Sequence, residues 1–217
     1  MGKPQDKIRV KRLPKRGFYD KETIYRLLDT DFVCQLGFIY NGYPVVIPTI
    51  YGRKDNYLYV HGAAVSRMLL SIAKGIPISL NVTQTKALVL ARSAFHHSLN
   101  YESVTVFGQA ELVTNTDEKL AALETITNQI ITGRWDEVRK PNTKELNVTS
   151  VLKIKITEAS AKIRTGDPSD DKKDYDLPIW AGIVPVNKVY GKPIADTLLK
   201  EGIPISKSIK QLINKNG

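Results

Sequence analysis

The first third of the chain alternates short apolar runs with turn residues, a pattern typical of antiparallel strands. Two runs, FVCQLGFI (residues 32–39) and YPVVIPTIYG (residues 43–52), flank Asn41-Gly42. This residue pair favours a type I′ turn because both of its positions need φ > 0. A polar turn over residues 53–56 precedes a third run, YLYVHG (residues 57–62). The pattern therefore predicts a three-stranded meander.

More strands are predicted along the rest of the chain. They cover residues 77–84, 86–94, 101–113, 148–156, 160–166 and 177–186. Helical spacing of apolar residues predicts a helix capped by Asp20, a short helix over residues 66–75 and a third helix capped by Thr116. Because the helices interrupt a succession of short strands, the pattern favours an antiparallel barrel over a parallel βαβ sheet. The expected fold class is mainly β with added helices.

The basic residues are concentrated at the two ends of the chain. The net charge is +10, and residues 1–17 hold seven Lys and Arg against one Asp. Lysine also outnumbers acidic residues over 191–217. Such ends are more typical of solvated tails than of a nucleic-acid surface, so we expect no nucleic-acid partner. We predict a basic arm over residues 1–17, one domain over residues 18–190 and a basic tail over residues 191–217.

Composition limits the cellular location and the kinds of catalytic or metal site that we expect for the protein. No apolar run approaches the ~20 residues that span a bilayer, and no apolar segment follows the basic start as in a signal peptide. We therefore expect a cytoplasmic protein without membrane contact. The histidines are His61, His96 and His97, and Cys34 is the single cysteine, which cannot build a zinc cluster. We expect no metal site, and no hydrolase, P-loop or Rossmann motif is present.

One segment suits a phosphate group. A strand end, Tyr59-Val-His61, leads through a loop of small residues into a predicted helix that starts at Ser66-Arg67. A helix start presents unpaired N–H groups, and an arginine can make a bidentate contact with phosphate. Gly62 and the two alanines after it leave room for a ligand to approach the backbone. The alternative is that Ser66 is an ordinary helix cap and Arg67 a solvated surface residue.

These residues also resemble a known family. YLYVHGAAVSRM (residues 57–68) is similar to the strand–loop–helix of the FMN-binding split barrels related to pyridoxamine 5′-phosphate oxidases. VIPTIYG (residues 46–52), YESVTVFG (residues 101–108) and WAGIVP (residues 180–185) resemble further segments of that family. The order of RLPKRGFYD, LARSAFHHSLN and GRWDEVR is similar to the nitroimidazole-resistance branch. The resemblance implies an FMN-binding split β-barrel, antiparallel and of Greek-key type, that forms a homodimer with FMN at the interface.

The resemblance also implies which residues bind the cofactor. They are Pro48, Thr49, Ile50, His61, Gly62, Ser66, Arg67, Ser103 and Trp180. Ser66 and Arg67 would hold the flavin phosphate, and the strand over 48–50 would run along the ring system. Ser103 would face the flavin, and Trp180 would place an aromatic ring near it.

His61 resembles the histidine that the nitroimidazole-resistance branch carries at the flavin edge. This implies a catalytic role, in which the imidazole donates a proton or binds an anionic substrate. The alternative is a strand-end histidine bonded to a neighbouring carbonyl. His96 and His97, in a predicted loop, are expected to cover the flavin or the dimer seam.

The pyridoxamine 5′-phosphate oxidases of this family end in an Arg-Leu-His stretch that binds pyridoxal phosphate. No match follows Trp180 here, so pyridoxamine phosphate is not the expected substrate. We predict an FMN-dependent oxidoreductase acting on a small molecule, with nitroaromatic reduction as one candidate activity. Two alternatives remain: a flavin-binding or regulatory protein without turnover, and a split barrel that binds haem.

Overall fold

The structure is a computed structural model that describes residues 6–214 of the 217-residue chain. The first five residues of the predicted basic arm and the last three of the predicted tail lie outside the described range. The strands are β1 (Gly17–Phe18), β2 (Val33–Tyr40), β3 (Tyr43–Lys54), β4 (Tyr57–Ala63), β5 (Pro77–Leu90), β6 (Ser98–Leu112), β7 (Thr149–Lys155), β8 (Glu158–Arg164) and β9 (Gly182–Pro185). The α-helices are α1 (Lys21–Leu28), α2 (Arg67–Ile72), α3 (Thr116–Ile130), α4 (Thr143–Asn147) and α5 (Lys207–Asn214). The prediction of a mainly β protein with added helices is confirmed.

The described residues form two compact units, and β3 and β6 each run from one unit into the other. The first unit comprises residues up to Thr49, Pro77–Gly108 and Ile156–Asn187. The second comprises Ile50–Ile76, Gln109–Lys155 and the residues from Lys188 onward.

In the first unit, long strands pair with different neighbours along their length. β5 pairs antiparallel with β2 through its first half and with β9 through its second half, and it also pairs with β6. β6 pairs antiparallel with β8, which in turn pairs with β1. Asp20 caps α1 by accepting a hydrogen bond from the Thr23 N–H, as predicted. The buried side chains of this unit include Leu28, Leu36 and Val104.

In the second unit, four strand segments form an antiparallel sheet in the order β3, β4, β7, β6. Helix α3 packs on this sheet, where Ile126 and Ala122 are buried with Tyr59 and Val151. The contact needs glycine at position 52, because a Cβ there would lie 2.7 Å from the Cα atom of Ile126. A separation that short does not occur between unbonded carbon atoms, so a side chain at 52 would displace the helix.

The hairpin prediction at Asn41-Gly42 is confirmed by φ angles of 49° and 81° at the two positions. The predicted break between residues 84 and 86 is wrong, because β5 continues through it. No glycine or proline interrupts the chain there, and each half of the strand has its own pairing partner. The cap of α3 is Asn115 rather than Thr116, since the Asn115 side chain accepts a hydrogen bond from the Glu118 N–H.

Both ends of the described chain make specific contacts. Lys7 forms an ion pair with Glu158, and its ammonium lies 5.8 Å from the centre of the Phe107 ring. At the other end, the Ser208 N–H donates to Glu137 at 2.9 Å, and the Ser208 hydroxyl donates to the same carboxylate. These hydrogen bonds hold the pKa of Glu137 at about 2. The prediction did not include α5, which these contacts attach to the second unit.

None of the helices in the described range is both long and apolar enough to span a membrane.

Candidate functional site

The predicted phosphate-binding segment forms a strand, a tight loop and a short helix. β4 pairs with β7 along its whole length, so that His61 lies opposite Val151 and Gly62 opposite Ser150. The pairing continues into the loop, where the Ala64 N–H donates to the carbonyl of Val148 at 2.9 Å. The loop backbone is therefore fixed by the neighbouring strand.

Ser66 occupies the N-cap position of α2, but its hydroxyl makes no capping hydrogen bond. Its N–H donates to the Ala63 carbonyl at 2.8 Å. Arg67 begins the helix and is exposed. The alternative that Ser66 serves as an ordinary side-chain cap is therefore not what the structure shows, and its hydroxyl remains available to a ligand.

Gly62 has a packing role besides the ligand contact predicted for it. A Cβ at this position would lie 3.1 Å from the Cδ1 atom of Leu69. Leu69 is buried on the inner face of α2. At this position glycine therefore lets Leu69 of α2 approach β4 closely. The predicted contact of Gly62 with a cofactor stays a prediction.

His61 is half-buried near the end of β4, and its Nδ1 atom is buried without a hydrogen-bond partner among the described residues. Burial lowers the pKa of the imidazole below its usual value of 6.5. The ring is therefore held neutral at physiological pH. The alternative of a histidine bonded through Nδ1 to a neighbouring carbonyl is not observed.

The predicted residues of β3 alternate in exposure. Pro48 and Ile50 are exposed, whereas Thr49 is half-buried between them. The Thr49 carbonyl accepts a weak hydrogen bond from the Cys34 thiol at 3.6 Å. Burial raises the pKa of Cys34 to about 12, so this thiol is chemically inert near neutral pH. The exposed face of β3 is apolar and suits a flat ring.

Ser103 and Trp180 present side chains at two further positions. The Ser103 hydroxyl contacts the carbonyl of Lys162 on β8 at 3.4 Å, a long hydrogen bond that leaves it accessible. The Trp180 side chain is 66% exposed. Its ring covers Gly182, where a Cβ would meet the indole at 3.1 Å. The indole therefore rests on the backbone of β9 and offers its other face to solvent.

The second unit holds five of the predicted site residues: Ile50, His61, Gly62, Ser66 and Arg67. Ile50 precedes Tyr51 and His61 follows Val60, and Tyr51 pairs with Val60, so the two are close along the β3–β4 ladder. Pro48, Thr49, Ser103 and Trp180 belong to the first unit.

Asp170 fixes the backbone just before the loop that carries His96 and His97, a role that the sequence did not reveal. The buried carboxylate of Asp170 accepts hydrogen bonds from the N–H groups of Arg92 and Ser93. Burial opposes ionisation, but these hydrogen bonds outweigh it and lower the pKa of Asp170. The His96 Nε2 atom lies 3.7 Å from Asp171. In the sequence, Asp170 lies in a polar segment rich in aspartate, and nothing there distinguishes a buried structural carboxylate from a solvated one.

The ring of His97 is also used structurally, since its Nδ1 atom accepts a hydrogen bond from the Ala91 N–H at 3.0 Å. Across residues 6–214, His, Cys, Asp and Glu side chains form no group of three or more that could hold a metal ion.

Comparisons with known proteins identify relatives over most of the chain. The sequence model of the pyridoxamine 5′-phosphate oxidase family matches residues 20–163. The flavocytochrome Anf3 from Azotobacter vinelandii is 34% identical, with a TM-score of 0.90 over 96% of this chain and 97% of its own. The FAD and haem binding protein from Mycobacterium smegmatis is 33% identical, with a TM-score of 0.87 over 91% of this chain and 97% of its own.

A more distant structure has the same fold. It is assigned to 5-nitroimidazole antibiotic resistance in Bacteroides thetaiotaomicron and is 18% identical, with a TM-score of 0.58 over 68% of this chain and 86% of its own. Among curated proteins, none matches this sequence with significance.

Proposed function

The chain belongs to the pyridoxamine 5′-phosphate oxidase family, and we propose that it is a flavin-binding redox protein. The observation that carries the proposal is the β4–α2 segment, in which Ser66, whose hydroxyl makes no capping hydrogen bond, directly precedes the exposed Arg67. A hydroxyl and a guanidinium are the groups that bind the phosphate of a flavin nucleotide. A bound flavin would supply the electron transfer that the side chains cannot perform.

The resemblance to the FMN-binding split barrels implies FMN as the flavin. The M. smegmatis relative, which matches this chain nearly from end to end, is described as an FAD and haem binding protein. This supports FAD as the resident flavin in preference to FMN. The exposed apolar face of β3 and the indole of Trp180 are the groups expected to contact the ring system, since flat aromatic surfaces favour stacking.

Haem binding is a second candidate function, and His61 is the observation that favours it. Its ring is neutral, and a neutral imidazole keeps one nitrogen lone pair that can coordinate a metal ion. Because Nδ1 is buried, without a hydrogen-bond partner among the described residues, we propose Nε2 as the coordinating atom. A groove of about 500 Å³ in the second unit, between Arg134 and Ile209, contains no His, Cys or Met in its lining. We therefore propose His61, and not that groove, as the source of an iron ligand.

The visible spectrum of the purified protein tests both assignments. We expect flavin absorption and, after reconstitution with haem, a Soret band. Titration of flavin-free protein should show tighter binding of FAD than of FMN, and ~100-fold excess over the dissociation constant should stabilise the fold by about 2.7 kcal/mol. A colourless protein whose melting temperature shifts with neither flavin would overturn the proposal.

A homodimer with the flavin at its interface is also proposed. The first unit exposes large apolar side chains on adjacent strands, including Val46 at 66% exposure and Ile39 at 57%. Exposed apolar surface of this kind is typical of an interface. We expect light scattering at micromolar concentration to give twice the 24.3 kDa chain mass, and a single-chain mass would contradict the dimer.

The proposed reaction is the reduction or oxidation of a small molecule, with nitroaromatic compounds as the first class to assay. This substrate class rests on the resemblance of the chain to the nitroimidazole-resistance branch. The Bacteroides thetaiotaomicron protein described as a nitroimidazole resistance protein shares the fold at 18% identity.

A further inference from the structure

Arg164, at the end of β8, carries a buried charge that forms no ion pair with an acidic residue in the described range, residues 6–214. The residue is 7% exposed. Its guanidinium donates to the Asn100 side chain and to the carbonyls of Gly166 at 3.2 Å and Asp167 at 3.3 Å. All three acceptors are neutral groups. They fix the orientation of the guanidinium without neutralising it.

A buried arginine normally lies against a carboxylate, because removing an unpaired charge from water is costly. Burial first, and then the nearby charge of Arg16, lower the pKa of Arg164. The acids on the neighbouring strands are engaged elsewhere. Glu158 pairs with Lys7, and Glu102 pairs with Arg26 and Lys86.

Two more cations lie beside Arg164. Lys162 is two residues earlier on β8 and therefore shares its face of the sheet. Gly17 pairs with Lys162, which brings the preceding residue, Arg16, to the same edge. Arg16 and Lys162 are half-buried, and within the described part of the chain neither side chain has a hydrogen bond or ion pair.

We propose that Arg16, Lys162 and Arg164 form a binding site for a phosphate-bearing ligand. Arg164 supplies a guanidinium of fixed orientation, a group that pairs with phosphate oxygens. Three positive charges with no acid among them suit a ligand that carries more than one negative charge. The three residues belong to the first unit, whereas Ser66 and Arg67 belong to the second.

The phosphate could belong to either of two ligands. One is the second phosphate of a bound FAD, and the other is a separate phosphorylated molecule such as a dinucleotide electron donor. Both share the same chemistry at this site, and the experiment below distinguishes them.

The test is binding of inorganic pyrophosphate to the full-length, flavin-free protein, measured by calorimetry. We expect Arg16→Gln and Lys162→Gln each to weaken binding about tenfold, the effect of removing one charge-assisted contact. Neither side chain has a structural partner, so both variants should fold. Arg12→Gln removes an exposed cation from the same arm and should bind like the wild type.

Repeating the titration on FAD-saturated protein identifies the source of the phosphate. Loss of pyrophosphate binding with FAD but not with FMN assigns the site to the cofactor. Retained binding assigns it to a separate ligand. The proposal is overturned if the wild type does not bind pyrophosphate, or if all three variants bind it equally. Because the first titration contains no flavin, its outcome is independent of whether flavin binding itself is established.

Discussion

His61→Asn is expected to lower the affinity of the protein for haem by more than about 100-fold while flavin binding is retained. Loss of a residue that only orients a metal ligand costs roughly 10- to 100-fold in metal affinity, and loss of the ligand itself should cost more. The side chain has no hydrogen bond through Nδ1, so asparagine breaks no contact that holds the fold. Haem titration followed at the Soret band, with flavin titration in parallel, measures both quantities.

The matched control is His96→Asn, which removes an imidazole from the loop before β6 and should leave the Soret band intact. A His61 variant that binds haem normally would contradict the ligand assignment. If that variant instead loses roughly 10²- to 10⁴-fold in turnover of a nitroaromatic substrate at full flavin occupancy, the catalytic role implied by the sequence resemblance is supported.

The local pattern of the chain was sufficient to predict much of the fold. The Asn41-Gly42 turn and the Asp20 cap follow from short-range geometry, and both are confirmed. Membership of the pyridoxamine 5′-phosphate oxidase family likewise confirms the split-barrel fold class. The cap of α3 was misplaced by one residue, and the error at β5 concerns long-range pairing. Nothing near residue 85 indicates that β5 stays continuous, because its continuity depends on β2 and β9, which are distant in sequence.

The candidate site was predictable in residue type but not in environment. The sequence indicated that Ser66, Arg67 and His61 belong to one segment. It could not indicate that the Ser66 hydroxyl is unused as a cap or that His61 lacks a partner at Nδ1. The sequence also did not indicate the environments of Gly62 and Arg164. The packing at Gly62 depends on the approach of Leu69, and the burial of Arg164 depends on neutral acceptors from a different strand and loop.

Arg67→Ala is expected to weaken binding of FMN and FAD by about ten- to a hundredfold and to leave riboflavin binding almost unchanged. A charge-assisted contact with phosphate contributes on the order of 1.5–3 kcal/mol, which corresponds to that range of affinity. Riboflavin lacks the phosphate and cannot lose the contact. The backbone carbonyl of Arg67, which accepts a hydrogen bond from the Ser71 hydroxyl at 2.7 Å, is retained in the variant.

Fluorescence titration with the three flavins measures the difference, and Lys74→Ala serves as the control because it removes an exposed cation just beyond the same helix. Raising the salt concentration should weaken FMN binding to the wild type more than to Arg67→Ala, since an exposed guanidinium–phosphate contact is screened by ions. An equal loss of affinity for riboflavin and FMN would show that Arg67 supports the structure of the segment instead of contacting phosphate. Unchanged FMN affinity would remove the β4–α2 segment as the phosphate site.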